Sequence, residues 1–135
     1  MNLYTALGYR LANYAGLSAL VGTRIYAVKL PQNVVYPAVT FQVISGLPRT
    51  HLMGSDDSLA APRVQVSAWH TDLTAAIAVA DQIKAALQDY TGIMGGDGGI
   101  TVQRIFIESE QIDIPDPEVG VHNIAQDFIV WREES

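Results

Sequence analysis

The first 22 residues follow a helical period. Apolar residues recur there at intervals of three and four, at Leu3, Leu7, Leu11, Tyr14 and Leu17. This spacing lines up one side of an α-helix, so it predicts an amphipathic helix near the start of the chain. Residues 17–21 predict a further helical turn that ends at Gly22, because glycine favours helix ends. Residues 24–27 then predict a short extended segment.

Two later segments alternate apolar and polar residues with a period of two. In residues 38–45, Val39, Phe41 and Val43 alternate with polar neighbours, and residues 63–69 repeat the pattern. Such alternation predicts a β-strand with one face in the core. The chain therefore contains two half-buried strands on either side of a long polar segment.

A second helix is predicted after residue 70. Either Thr71 or Asp72 can accept hydrogen bonds from the free amides of its first turn. Its predicted buried stripe follows the helical period: Leu73, Ala76, Ile77, Ala80, Ile83, Leu87 and Tyr90. Many other positions are alanine, so this helix can lie close to a sheet. The glycine-rich residues 92–99 predict a mobile or sharply turned connection.

Residues 100–108 predict a strand that is apolar on both faces. Simple alternation puts Val102 and Phe106 on one face and Ile105 and Ile107 on the other. A strand with two apolar faces needs a neighbouring layer on each side.

Residues 121–131 predict the last strand, which also has apolar side chains on both faces. Ile129 and Trp131 lie opposite the other apolar residues, Ile124, Phe128 and Val130. Helices can cover one face, so the other face must meet a second sheet layer or another subunit. We expect a symmetric oligomer with Ile105, Ile129 and Trp131 at the contact.

The predicted order is helix, short strand, strand, strand, helix, strand, strand. It suits an α+β fold in which a mainly antiparallel sheet is flanked by two helices on one side. A chain of 135 residues fits one domain, residues 1–135, with enough length to bury a single core.

Residues 45–62 predict a long loop. Loops of more than about 12 residues in compact domains are usually functional or disordered. We expect this loop to be mobile in the free protein and to become ordered on contact with a partner. A surface loop without a partner is the alternative. The candidate partner-binding residues of the loop are Arg49, His51, Leu52, Met53, Asp56 and Asp57.

Composition and charge narrow the function classes. The chain has no cysteine, which excludes disulfides, thiolate metal sites and cysteine nucleophiles. Its net charge is −6, and no basic patch is visible, which disfavours binding to nucleic acid through phosphates. No apolar segment approaches the roughly 20 residues of a membrane span, and the N-terminus does not resemble a signal peptide.

Histidines and glycines form no recognisable site. His51, His70 and His122 make neither an i,i+4 pair nor a His-x-His motif, so solvated or locally hydrogen-bonded histidines are expected. Residues 95–99 are glycine-rich but lead into a strand without a following Lys-Ser/Thr, which excludes a P-loop. We expect no metal site, no cofactor and no catalytic residue.

The acidic residues of the C-terminal third allow one enzyme hypothesis. They are Glu108, Glu110, Asp113, Asp116 and Glu118. Their spacing differs from that of an EF-hand, and a solvated acidic edge is the simpler interpretation. A divalent-dependent hydrolase that uses Asp113, Asp116 and Glu118 is the enzyme alternative.

Five short segments occur in a recognisable order and spacing. They are residues 19–26, Pro31-Gln32, Tyr36-Pro37, residues 63–66 before an alanine-rich helix, and Asp127-Phe128-Ile129-Val130. In this order they resemble the tail-completion or tail-terminator proteins of long-tailed bacteriophages and prophages. The resemblance implies a small ring-forming α+β subunit, commonly a hexamer. Such a ring caps the head-proximal end of the tail tube, halts its polymerisation and presents the surface that joins the head. The family has no catalytic residues.

The resemblance also implies a set of partners. They are further copies of the chain, the tail tube protein and a head connector or stopper protein, with DNA passing through the ring unbound. The location would be the head-proximal end of the virion tail, after assembly in the host cytoplasm. The excess of acidic over basic residues is compatible with a ring whose central channel repels the phosphates of DNA. Two alternatives remain: a neck or head-completion ring beside the portal, and a small-ligand-binding α+β module, which needs a concave apolar pocket.

Overall fold

The computed structural model describes residues 3–45, 59–60, 62–96, 98–111 and 120–133. Within these residues the helices are α1 (Leu3–Ala12), α2 (Ala15–Val21) and α3 (Leu73–Leu87). The strands are β1 (Ile25–Ala27), β2 (Ala38–Ser45), β3 (Leu59–Ala60), β4 (Arg63–His70), β5 (Gly92–Met94), β6 (Ile100–Gln111) and β7 (His122–Glu133). The α+β prediction is therefore confirmed, with a third helix, because the N-terminal helical stretch divides between α1 and α2.

One sheet joins all the strands, in the order β1-β2-β4-β7-β6-β5. The β1–β2 pair is parallel, and the other pairs are antiparallel. β3 extends β4 along β7 in the same register, since Ala60 lies opposite Arg132 and Arg63 lies opposite Ile129. Pro62 separates the two strands because proline has no amide hydrogen to donate. Its carbonyl still accepts a hydrogen bond from Val130 N at 3.0 Å.

The three helices cover one side of the sheet, here called the inner face. The core forms between them and the inward side chains of the central strands, which include Val39, Phe41, Val64, Val66, Ile124 and Phe128. The side chain of Asp72 caps α3 by accepting from Thr74 N at 3.3 Å. Removing this apolar surface from water stabilises the fold at about 25 cal/mol per Å².

The buried stripe of α3 differs from its prediction at several residues: Tyr90 lies beyond the end of the helix at Leu87, and Leu73 is only partly buried. Ile77 is 39% exposed, whereas Val79 and Ala86 are buried. Ile77 follows Ala76 by one residue, a step of about 100° around the helix. Because Ala76 points directly into the core, Ile77 lies on the flank.

Irregular pairing in β6 corrects the predicted faces of that strand. The register shifts between Val102 and Arg104, which indicates a β-bulge with one extra residue in β6. Val102 and Ile105 therefore both point inward and are 2% and 0% exposed. The prediction that Ile105 lies on the outer contact face is wrong, because the bulge turns it into the core opposite Val130. Phe106 takes the outward position instead.

The glycine-rich connection also contains structure that was not predicted. β5 pairs with the start of β6, with Met94 opposite Ile100. Gly96 and Gly98 have φ angles of 77° and 76°, which glycine adopts without steric cost. The connection is therefore a tight hairpin between two paired strands.

Candidate partner-binding face

The side of the sheet opposite the helices, here called the outer face, carries a row of residues across four strands. Ser45 lies opposite Arg63, Arg63 opposite Ile129, and Ile129 opposite Phe106. Ile44, beside the first position, is 46% exposed. This outer row thus holds one cation between exposed apolar side chains, a combination typical of protein contacts.

Arg63 is fixed in this row by two carboxylates. Its Nε and Nη2 atoms donate to Asp127 Oδ2 at 3.2 and 3.0 Å, and Nη1 donates to Glu108 Oε2 at 3.1 Å. Ser109 Oγ also donates to Asp127 Oδ2, at 3.3 Å. The hydrogen bond to Asp127, together with the charges of Asp127 and Glu108, raises the pKa of Arg63 above its ordinary value despite some desolvation. The charged group is held rigidly, and its charge is locally balanced.

A second arginine lies beside Phe106. The guanidinium carbon of Arg104 is 4.7 Å from the centre of the Phe106 ring, a cation–π distance. Arg104 Nη2 also lies 2.9 Å from Asp89 Oδ1. Phe106 remains 37% exposed, so its outer surface is available for contact. Arg104 lies opposite Trp131, which is two residues beyond Ile129 on β7. This pair therefore lies on the same outer face, next to the outer row.

Away from this row, the residues of the outer face are small and mostly polar. Thr40, Ser67 and Ala125 occupy one cross-strand line and are 6%, 6% and 4% exposed. Trp69 Nε1 donates to Thr40 Oγ1 at 2.9 Å, which holds the indole over this part of the sheet. The two regions give the face an apolar end with ion-paired arginines and a small, mostly polar end.

Several buried polar atoms of β7 have no hydrogen-bond partner. Among the described residues they are Asn123 Oδ1, Gln126 Oε1, Asp127 Oδ1 and Arg132 Nε. Asn123 and Asp127 alternate with inward residues and therefore belong to the outer face. An unsatisfied buried acceptor is costly, so these atoms lower the stability of this part of β7.

The predicted contact residues have three different outcomes. Ile129 and Trp131 lie on the outer face and are partly buried, and Ile105 lies in the core. The loop residues fall outside the part of the chain that the structure describes: Arg49, His51, Leu52, Met53, Asp56 and Asp57. Phe106 and Ile44 were missed, because bulges in β6 and β2 disturb the alternation that would have revealed them.

The structure brings two histidines together. His70 and His122 are direct cross-strand partners on β4 and β7. The Nδ1 atom of His70 accepts a hydrogen bond from Asp72 N at 3.2 Å. A metal-bound histidine normally donates through its second nitrogen instead, so this geometry does not suit metal binding. Across the described residues, no group of three or more potential ligands is present.

The acidic residues within the described ranges have structural contacts. Glu108 binds Arg63, and Glu110 Oε2 accepts from Gln126 Nε2 at 2.6 Å. Asp113, Asp116 and Glu118 lie outside the described residues. Of the helices in the described ranges, none has the length and hydrophobicity needed to cross a membrane.

Fold and face together define an α+β protein whose sheet offers a half-exposed surface suited to protein contacts. Residues 5–133 match the family described as tail completion protein gp17, and the chain belongs to this family. It is therefore a structural protein of bacteriophage tails, which assembles with other tail or head proteins. The resemblance inferred from the sequence is confirmed.

A solved structure has a similar fold. It is a chain from the virion of a native gene transfer agent particle, with a TM-score of 0.79 and 17% sequence identity. The similarity covers 97% of this chain and 94% of that chain. At this identity the likeness establishes the fold alone. A comparison with curated protein sequences gives no match.

Proposed function

We propose that this protein forms a ring at the head-proximal end of the tail tube. Each subunit of the ring is one domain, residues 1–135. The proposed ring is a hexamer, the state that is common in the family. The ring stops tube polymerisation and presents the surface that joins the head connector. Family membership supports the tail role. The observation that carries the ring is the outer row, where Phe106 and Ile44 remain exposed beside a fixed Arg63. A subunit contact would cover these side chains.

The protein acts by shape and contact, not by catalysis. Its contact residues on the outer face are Phe106, Ile129 and Trp131. Phe106 replaces the predicted contact residue Ile105, which lies in the core. The predicted loop of residues 45–62, whose Ser45 ends β2 and whose Leu59–Ala60 form β3, makes a second contact through Arg49, His51, Leu52, Met53 and the Asp56–Asp57 pair. Assembly takes place in the host cytoplasm, and the finished ring stays in the virion tail.

Passage of DNA through the ring is compatible with the arginine contacts. Arg63 and Arg104 are each paired with carboxylates. Arg24 donates to the carbonyl of Pro37 at 2.8 Å. These cations are engaged within the subunit, so a bore formed by such subunits would not hold phosphate strongly. An assembled ring whose lumen is lined by Arg24, Arg49, Arg63 and Arg104 would contradict this part of the proposal.

The decisive experiment measures assembly with and without tail tube protein. The purified chain is examined by mass measurement and negative-stain imaging, alone and mixed with polymerising tube protein. We expect rings at one end of each tube and tubes that stop growing. Rings that bind only the portal side, with no effect on tube growth, would instead indicate a neck protein.

The predicted docking loop needs its own test. Deletion of residues 50–58 is expected to leave the fold intact but to reduce the number of joined, infectious particles. Circular dichroism controls for folding. Normal yields of joined particles from the deletion variant would remove the loop from the proposal while leaving ring formation untouched.

A further inference from the structure

Charge is distributed very unevenly along the chain. The first 55 residues contain four cations, Arg10, Arg24, Lys29 and Arg49, and no carboxylate. The other 80 residues contain all 14 carboxylates and only four cations. The strand order places β1 and β2, from the acid-free part, at one end of the sheet and β6 with β5, from the acidic part, at the other. The two ends therefore differ in charge.

The β1 end has an open, cationic edge. Arg24 O accepts from Val39 N at 3.0 Å and Val28 N donates to Phe41 O at 2.8 Å, so the backbone of alternate residues faces β2. The carbonyl of Ile25 and the amide of Ala27 consequently point away from β2. Ala27, Val28 and Lys29 are exposed. No strand within the described ranges pairs with this side of β1.

The β6 end has an open, acidic edge. β5 pairs only with residues 100–102 of β6. Farther along, Asp89 N donates to Ile105 O at 2.9 Å and Ile107 N donates to Gln88 Oε1 at 2.7 Å, so α3 and its end supply local partners. Beyond Ile107, no described strand lies on this side of β6. The side chains there include Glu108 and Glu110, both exposed.

We propose that neighbouring copies join head to tail, with the β1 edge of one copy adding to the β6 edge of the next at residues 108–111. The inference rests on the proposed ring and adds an edge-to-edge contact between subunits to the contact through the outer row. Backbone hydrogen bonds between edge strands provide the attachment, and the cations beside β1 facing the carboxylates beside β6 set its direction. The two edges belong to different surfaces, so the contact is heterologous and closes into a ring when the rotation permits.

Weak association of the free protein follows from the same geometry. β1 has only three residues, and short edge strands limit uncontrolled pairing between copies. A single contact of this kind is small, and closure of the ring lets every copy make two of them. The ring therefore assembles cooperatively.

Cysteine cross-linking tests the pairing directly, because the chain contains no cysteine of its own. Ala27 and Glu110 both point to the inner side of the sheet, as their partners Phe41 and Gln126 do. Ser109 pairs with Asp127 and points to the outer side. In a continuous intersubunit sheet, cysteines at 27 and 110 approach within disulfide range, whereas cysteines at 27 and 109 lie on opposite faces.

The experiment mixes two single-cysteine variants under mild oxidation, alone and on tail tubes. A27C with E110C is expected to give at least about tenfold more mixed disulfide dimer than A27C with S109C, or than either variant alone. Rings visible by imaging without this preference would overturn the edge pairing and leave the proposed function standing. With no rings in either condition, the proposed function fails and the inference fails with it.

A charge exchange provides an independent test. Lys29→Glu is expected to raise the protein concentration needed for ring formation by about tenfold, because like charges then meet at the contact. Adding Glu110→Lys on the same chain is expected to restore assembly. Lys84→Glu, an equal change of charge on the exposed side of α3, serves as the control. Equal effects of Lys29→Glu and Lys84→Glu, or no restoration by the second change, would contradict the proposal.

Discussion

Arg63 binds Asp127 across two neighbouring strands, with two of its nitrogens on the same carboxylate oxygen. The Nε–Oδ2 and Nη2–Oδ2 distances are 3.2 and 3.0 Å. The residues are not direct partners in the register, since Arg63 lies opposite Ile129 and Asp127 lies opposite Gln65. The ion pair is therefore diagonal, and it ties β4 to β7 beside the exposed apolar side chains of the outer row.

Removal of Arg63 is expected to destabilise the protein. In Arg63→Ala, the Asp127 side chain, only 17% exposed, loses its cation, and the midpoint of thermal unfolding falls. Arg104→Ala is the matched control, because Arg104 and Asp89 are both more than half exposed and such pairs contribute less than about 1 kcal/mol. Equal changes for the two variants would show that the diagonal pair has no special role.

The pH dependence of the Arg63 contribution follows from the direction of its pKa shift. The pKa of Arg63 is raised in the folded protein. The contribution is therefore complete below the unfolded-state pKa and is lost only as the pH rises through the higher folded value. Arginine titrates in strongly alkaline solution. As far as arginine titration determines it, the difference in free energy of unfolding between the original chain and Arg63→Ala should therefore stay constant between about pH 6 and pH 9. Urea unfolding at several pH values measures it.

Phe106 is expected to matter for assembly and much less for folding. Phe106→Ser removes an outer-face side chain that is 37% exposed. The concentration needed for ring formation should rise by about tenfold or more, because aromatic side chains near the centre of contacts contribute strongly. Ile77→Ser is the control, since Ile77 is 39% exposed but lies on α3. Mass measurement in the presence of tail tubes compares them, and a similar effect of Ile77→Ser would refute the assignment.

Gly99 is expected to tolerate no side chain. A Cβ atom there would lie 2.8 Å from the carbonyl carbon of Met94 and 2.9 Å from the carbonyl oxygen of Gly96, both backbone atoms. Gly99→Ala should lower the free energy of unfolding by about 3 kcal/mol, because the hairpin must shift. In Gly98→Ala the Cβ meets nothing within 4 Å, and only the positive φ angle of 76° costs energy, about 1 kcal/mol. Urea unfolding distinguishes them, and equal losses would contradict the packing argument.

Val28 is expected to be a site where glycine stabilises the protein. Its φ angle is 71°, and Lys29 N donates to Ala27 O across it at 2.8 Å, which forms a strained γ-turn. Val28→Gly releases about 1–3 kcal/mol of strain and loses about 0.5–1 kcal/mol through greater freedom of the unfolded chain. The expected net gain is about 1 kcal/mol by urea unfolding.

Val35→Gly is the matched control for this prediction. Val35 is 62% exposed, like the 56% exposed Val28, but it is not among the described residues with a positive φ angle. It should lose about 0.5–1 kcal/mol. A loss of the same size in Val28→Gly would show that the turn stores no strain.

Local sequence patterns determined most of the secondary structure. Residues 38–45 were predicted as a strand and form β2 with the same bounds. Asp72 was one of two predicted caps, and its side chain caps α3. These features depend on near neighbours in the chain: the period of two places alternate side chains on opposite faces, and the cap satisfies amides within its own turn. The inward direction of Ile124, Phe128 and Val130 was correct for the same reason.

Tertiary structure alone decided which side chains reach the outer face. The bulge near Arg104 adds one residue to β6, which sends Ile105 into the core and leaves Phe106 outside. It also decided that Arg63, Glu108 and Asp127, from three separate strands, form one ion-paired group. Neither result follows from the periodicity of a single strand, because a bulge and a diagonal contact depend on pairing between strands. The sequence by itself therefore determined most of the helices and strands and the family, and the pairing of distant strands determined which side chains form the outer face.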